Sequence, residues 1–215
     1  MKRLARPTGV VLALIAIVMT GGAQTGALGI FENHGDVGET PKKGAVEYGG
    51  ESGEYRVTGG GANIWATVDA FQFVWKKLSG DLTFTADVRF IGAGAVNHRK
   101  AVLMIRQGLE PDAAYADVAL HGDGLTSLQY RTASGAITQE VRSEVSAPGR
   151  IRIERRDDEF TMYAAKSGEE WKAAGPVTVK LRDPVYVGIG MCSHDAAVLE
   201  TTVFKNVRIT GASTK

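Results

Sequence analysis

The chain has 215 residues, with 25 basic and 24 acidic side chains interspersed along it and a formal net charge of +1. That balance leaves no basic stripe for nucleic acid and no polybasic patch for a membrane surface, so neither partner is expected. The single cysteine, Cys192, excludes an intramolecular disulfide, and 27 glycines against 6 prolines suit a chain with many tight turns.

At the N-terminus, Lys2, Arg3 and Arg6 precede an apolar run over residues 10–19, and small or polar residues from Gly21 to Thr25 follow. This order is that of a secretory signal peptide, with cleavage after Ala23 or Ala27. The apolar run, about ten residues, falls short of the roughly 20 that span a bilayer, so no stable membrane span is expected once the leader is removed. Residues 1–23 are therefore set apart as signal peptide and residues 24–215 are expected to form one domain, secreted or periplasmic.

Glycine clusters at Gly49-Gly50 and at Gly59-Gly60-Gly61 separate short extended pieces over 45–48, 54–58 and 62–67, which read as outer strands. Phe71, Phe73 and Trp75 alternate with Gln72, Val74 and Lys76, giving a strand with one aromatic face. Leu82, Phe84, Ala86, Val88 and Phe90 alternate with polar residues, the clearest half-buried strand in the chain.

Three strands follow, over 101–107, 115–121 and 126–132, joined by glycine-containing turns. Successive strand side chains point to opposite faces, so counting by twos divides each strand. Leu103, Ile105, Val118, Leu120, Leu128 and Tyr130 fall on an apolar side, and Arg106, Tyr115, Asp117, His121, Gln129 and Arg131 on the other. Guanidinium, carboxyl, imidazole and amide groups gathered on one sheet face are what a binding surface requires; a solvated face with cross-strand ion pairs has the same pattern. Further strands are expected over 137–142, around Ile151 and Ile153, around Phe160 and Met162, and over 177–181, 185–191 and 201–209. The charged run from Arg155 to Glu159 reads as a solvated turn. About a dozen strands and no sustained helical period predict an all-β fold, a β-sandwich or jelly roll.

The catalytic signatures of exported sandwiches are missing. Retaining glycosidases need two carboxyls about 5 to 5.5 Å apart, which one strand supplies only from alternate positions. No Glu-x-Asp-x-(x)-Glu strand occurs, nor a Gly-x-Ser-x-Gly elbow. His34, His98, His121 and His194 have no zinc spacing, and His121-Gly122-Asp123-Gly124 reads as a turn rather than a metal loop. Cys192 reads as a small buried hydrophobe. No catalytic residue, metal or cofactor is expected. Aromatic rings stack on sugar faces and planar side chains bond hydroxyls in pairs, and Trp65, Trp75, Tyr115 and Tyr130 are the aromatic candidates.

The stretches FVWKKLSGDLTFTADVRF, HRKAVLMIRQ, YADVALHGDGLTSLQYR, RIRIERRDDEFTMYAAKSGEEW and PVYVGIGMCSHD, closing on VFKNVRI, resemble the concanavalin A-like lectin/glucanase superfamily. The resemblance covers about 71–209 and is nearest to small secreted bacterial jelly-roll domains of that group. It implies the fold; members range from lectin-like binders to carbohydrate-active enzymes, so activity does not transfer. The first expectation is an exported, non-catalytic module that binds a glycan or small carbohydrate through Arg106, Tyr115, Asp117, His121, Gln129 and Arg131. The alternatives are a glycosidase or keto-glycoside hydrolase or lyase with Asp117 and His121 as acid and base, and a structural cell-envelope interaction module.

Overall fold

The computed structural model describes residues 28–211 and residue 213; the expected signal peptide lies outside the described residues. In chain order the strands are β1 (Asn33–Val37), β2 (Ala45–Gly49), β3 (Glu54–Gly59), β4 (Ile64–Trp65), β5 (Val68–Asp69), β6 (Phe71–Leu78), β7 (Leu82–Phe90) and β8 (Lys100–Arg106). They continue with β9 (Tyr115–His121), β10 (Thr126–Arg131), β11 (Gln139–Arg142), β12 (Arg150–Arg156), β13 (Glu159–Ala165), β14 (Lys172–Thr178), β15 (Val185–Cys192) and β16 (Glu200–Thr210). No helix occurs among the described residues.

Two antiparallel sheets of seven strands face each other, in the orders β1-β6-β15-β8-β9-β10-β11 and β14-β13-β12-β7-β16-β3-β2. The alternation read from the sequence explains their packing. Leu82, Phe84 and Ala86 of β7 and Ile151 and Ile153 of β12 point inward from the second sheet. They meet Leu103 and Ile105 of β8, Ala116 and Val118 of β9, Leu128 of β10 and Ile189 of β15. Each large aliphatic or aromatic side chain sealed there stabilises the sandwich by about 1.5–3 kcal/mol.

The outer face of the first sheet departs from the sequence reading. Val102, Met104, Ala119, Tyr115 and Cys192 lie on it, and they form a second apolar cluster with Phe71, Phe73, Val37 and Ile64. The aromatic face of β6 therefore points away from the main core. Gly190 of β15 leaves room for it, since a Cβ there would lie 2.9 Å from the Phe71 ring. All of β8 and β9 is consequently buried on both faces.

What covers that face is the segment expected as one outer strand over 62–67. It turns back on itself instead: Ile64 pairs with Asp69 and Trp65 with Val68, around Ala66 at φ 53°. A strand of six residues would have needed an edge to pair with, and the short hairpin gains burial by lying flat on the sheet. Elsewhere β14 starts at Lys172, earlier than the strand expected over 177–181, and β11 starts at Gln139. The charged run is only partly solvated, because Arg155 is 5% exposed and donates to Asp183 Oδ1 at 2.6 Å and to the Leu181 carbonyl at 3.0 Å.

Candidate functional site

Strand register sets the polar side chains of the covered face in rows. Arg106 stands opposite Tyr115, and Tyr115 opposite Arg131. The next row holds Met104, Asp117 and Gln129, and a further row pairs Lys100 with His121. The parity count thus put all six expected residues on one face. The β4–β5 hairpin then divides them into a closed end and an open end.

The closed end holds Arg106, Tyr115 and Arg131. Asp69, on the hairpin, accepts a forked pair from Arg131, Nη2 to Oδ1 at 2.8 Å and Nη1 to Oδ2 at 2.9 Å. Arg106 Nη2 lies 3.4 Å from Asp69 Oδ2 and donates to the Glu110 carbonyl at 2.7 Å. All three side chains of this ion cluster are 0% exposed. Burial pushes the Asp69 carboxyl upward and the Arg131 fork pulls it back. Arg131 also donates to the carbonyls of Ala66, Ala113 and Ala136, and Tyr115 Oη meets Thr138 Oγ1 at 3.1 Å. Arg131 and Tyr115 are thus engaged in fastening loops to the sheet, Arg106 keeps Nε and Nη1 unpartnered among the described residues, and all three side chains are 0% exposed.

Asp117 is sealed as well, and neither carboxylate oxygen has a hydrogen-bond partner among the described residues. Burial pushes its carboxyl well above the usual range, against the pull of Lys100. Four residues along one strand also place its Cα about 13 Å from that of His121. An acid and a base so separated, one of them closed off, do not address one bond.

The open end is a pocket of about 210 Å³ lined by Asn63, Trp65, His98, Lys100, His121, Leu125, Gln129, Glu140, Arg142 and His194. Of the expected set only His121 and Gln129 line it. Lys100 Nζ donates to Asn63 Oδ1 at 2.8 Å and to the Ile64 carbonyl at 2.7 Å, and stands 5.3 Å from the Trp65 ring centroid. Two of its three N–H donors are thereby engaged. Burial pulls its ammonium below the usual lysine range, opposed by Asp117.

His121 Nδ1 lies 3.0 Å from the Leu125 carbonyl, which can only accept, so Nδ1 carries the proton and Nε2 presents a lone pair. Burial, helped by Lys100, pulls its pKa down to about 4. The ring is neutral at pH 7. His98 lies edge-on to it at 5.8 Å between centroids, and His194 stands 5.8 Å from His98 on the other side. His194 Nδ1 is buried without a partner, and burial lowers that group too. Gln129 Nε2 is 3.3 Å from Ser127 Oγ and 3.5 Å from His121 Nε2. Of the four aromatic candidates only Trp65 reaches the pocket. Trp75 stacks on Phe73, Tyr115 is sealed, and Tyr130 packs against the main core.

Lys100 was missed because the strand was started one residue late; counting back from Arg106 by twos reaches it. His98 and His194 come from loops, for which periodicity carries no signal, and Asn63 lies in the segment over 62–67 that was expected as an outer strand and instead folds over the sheet. The turn reading of His121 to Gly124 agrees with the structure, where Asp123 Oδ1 accepts the Leu125 amide. Cys192 is buried as expected, with its thiol pushed up to about 11 by burial.

No family model matches the chain, and no curated protein matches it in sequence. Solved structures do match its backbone. A functionally unknown protein from Saccharomyces cerevisiae superposes with a TM-score of 0.62 at 13% identity, over 79% of this chain and 93% of that one. Carbohydrate binding module CBM66 from Bacillus subtilis gives 0.52 at 13% identity, over 85% and 98% of the two chains. The fold is the concanavalin A-like jelly roll. A xylan β-1,4-xylosidase from Bacillus halodurans C-125 contains the same jelly roll, with a TM-score of 0.55 at 14% identity over 74% of this chain and 33% of the enzyme.

Proposed function

We propose that this jelly roll binds a glycan in the pocket between Trp65 and the histidines, without cleaving it. The observation that carries the reading is the pocket's composition: one half-buried indole, the Lys100 ammonium held by Asn63, and the defined lone pair of His121 converge on a single opening. A sugar ring offers this arrangement an apolar face for the indole and paired hydroxyls for the planar groups. At about 210 Å³ the pocket suits one ring or chain end rather than a long polymer segment. The likeness to a carbohydrate binding module and to a xylosidase supports a carbohydrate ligand, and the sealing of Asp117 weighs against acid–base cleavage with His121.

Affinity electrophoresis through gels containing plant and microbial polysaccharides tests this. At least one polysaccharide should retard the protein, and Trp65→Ala should weaken that binding about tenfold or more with the melting temperature little changed. Arg106→Ala should instead lower the melting temperature, since Arg106 belongs to the buried ion cluster. Absence of retardation by every polysaccharide would sink the proposal, and release of reducing sugar by the wild type would replace it with an enzymatic one.

A further inference from the structure

The second sheet carries a separate groove of about 460 Å³ on its outer face, opposite the pocket, lined by Thr83, Thr85, Asp87, Arg150, Arg152, Trp171, Asn206, Arg208 and Thr210. The register explains its charge. Thr85 of β7 stands opposite Arg152 of β12 on one side and Arg208 of β16 on the other. Two guanidiniums thus flank a threonine floor, their Cα atoms about 10 Å apart across two strand spacings. A bulge in β16 between Lys205 and Arg208, with Asn206 at φ 50°, turns Arg208 to the outside while Val207 and Ile209 pack inward.

Trp171, in the loop before β14, lies against Arg152 and a third guanidinium, that of Arg150. Arg150 Cζ lies 4.7 Å and Arg152 Cζ 4.4 Å from its ring centroid. Stacking holds each guanidinium plane and leaves its N–H edge free to donate. Those edges are short of acceptors. Arg150 donates to the Glu169 carbonyl at 2.6 Å, Arg152 has only a long contact to Glu154 at 3.7 Å, and the Nε of both is buried without a partner. The Arg208 side chain makes no hydrogen bond or ion pair among the described residues. The single carboxylate lining the groove, Asp87, accepts from Asn206 Nδ2 at 2.6 Å. Three cations therefore face one anion.

We propose that this groove is a second binding site, for a polysaccharide bearing carboxylate or sulfate groups. Guanidinium forks pair with both oxyanions in two-point contacts, and the hydroxyls of Thr83, Thr85 and Thr210 match the neutral hydroxyls between charges. Nucleic acid is disfavoured because the chain's net charge of +1 and interspersed signs offer no track beyond this groove for a phosphate backbone.

The full chain is titrated at about 0.15 M salt with dextran sulfate, polygalacturonate, unsulfated dextran and a single-stranded oligonucleotide. Binding of dextran sulfate or polygalacturonate, with dextran inert, is the expected result, and which polymer binds separates sulfate from carboxylate. Arg208→Gln and Arg152→Gln should each weaken that binding about fivefold or more, while Trp65→Ala, which removes the indole of the other pocket, and Lys42→Gln, an exposed cation before β2, should leave it unchanged. Failure of both acidic polymers, an equal loss with Lys42→Gln, or Arg208-dependent binding of the oligonucleotide that matches the polymers would each overturn the assignment. Because Arg208 is exposed, its substitution leaves the fold intact, and a null result is not a folding failure.

Discussion

His121 is locked into one tautomer by a backbone carbonyl and kept neutral by burial, while Asp117, on the same strand face, is driven toward its protonated form. The two have opposite consequences for stability. The depressed histidine means that the unfolded chain takes up a proton that the folded chain refuses, so its contribution is complete above the ordinary value near 6.5 and is lost as pH falls toward about 4. That loss is on the order of 3 kcal/mol. The raised carboxyl works the other way, because the folded chain keeps a proton that the unfolded chain releases, and stability falls as pH rises above the usual carboxylate range. In the wild type the two slopes oppose each other between about 4 and 6.5. Asp117→Asn should therefore melt higher than the wild type at neutral pH, by a margin that widens with pH, and should show the histidine slope uncovered. Thermal melts of both proteins from pH 4 to 8 check this, and a lower melting temperature for Asp117→Asn at neutral pH would mean that Asp117 is ionised against Lys100.

The β4–β5 hairpin is the element on which the site depends. It has two-residue strands and cannot be stable alone. Ile64 is buried in the second apolar cluster, and Asp69 ties the hairpin to Arg106 and Arg131. Removing one partner of a buried ion cluster leaves uncompensated charge and costs about 3–5 kcal/mol. Asp69→Ala should accordingly lower stability by that amount, loosen residues 62–69, and abolish glycan binding by displacing Trp65 and Asn63, although Asp69 does not line the pocket. Faster amide exchange at position 69 and at Ala70, whose amides donate to the Pro111 and Asn63 carbonyls, with the β8–β9 amides still protected, is the expected pattern. Uniform loss of protection would show that the hairpin is integral to the sandwich. Arg131, with donors to Asp69 and several carbonyls, is the residue that sequence reading placed on the right face and gave the wrong surroundings: a strand's parity says which way a side chain points, and nothing about what lies above it.

At the scale of the whole molecule the two outer faces differ. The first sheet is roofed by a hairpin beside which a small histidine-lined pocket opens, whereas the outer face of the second carries an arginine-lined groove. A mature chain that begins after Ala23 or Ala27 is the matching expectation for an exported binder, and N-terminal sequencing of the protein from an exporting bacterial host tests it. An intact Met1 on the exported protein would refute it. Period-two alternation in β7, β8, β9, β10 and β12 was enough to identify a two-sheet sandwich and to turn Leu103, Ile105, Val118, Leu120 and Leu128 toward the main core, because a one-residue error would have put Arg106, Asp117 and Gln129 between the sheets. Chain order and register set those choices locally. The pocket was a different matter. Asn63, Trp65, His98 and His194 lie up to 131 residues apart, and Asp69 meets Arg131 across 62 residues. Such meetings are decided by which loop folds over which sheet, a question of surface burial summed over the whole chain, so only the tertiary structure separated the residues that fasten the hairpin from those left free to meet a ligand.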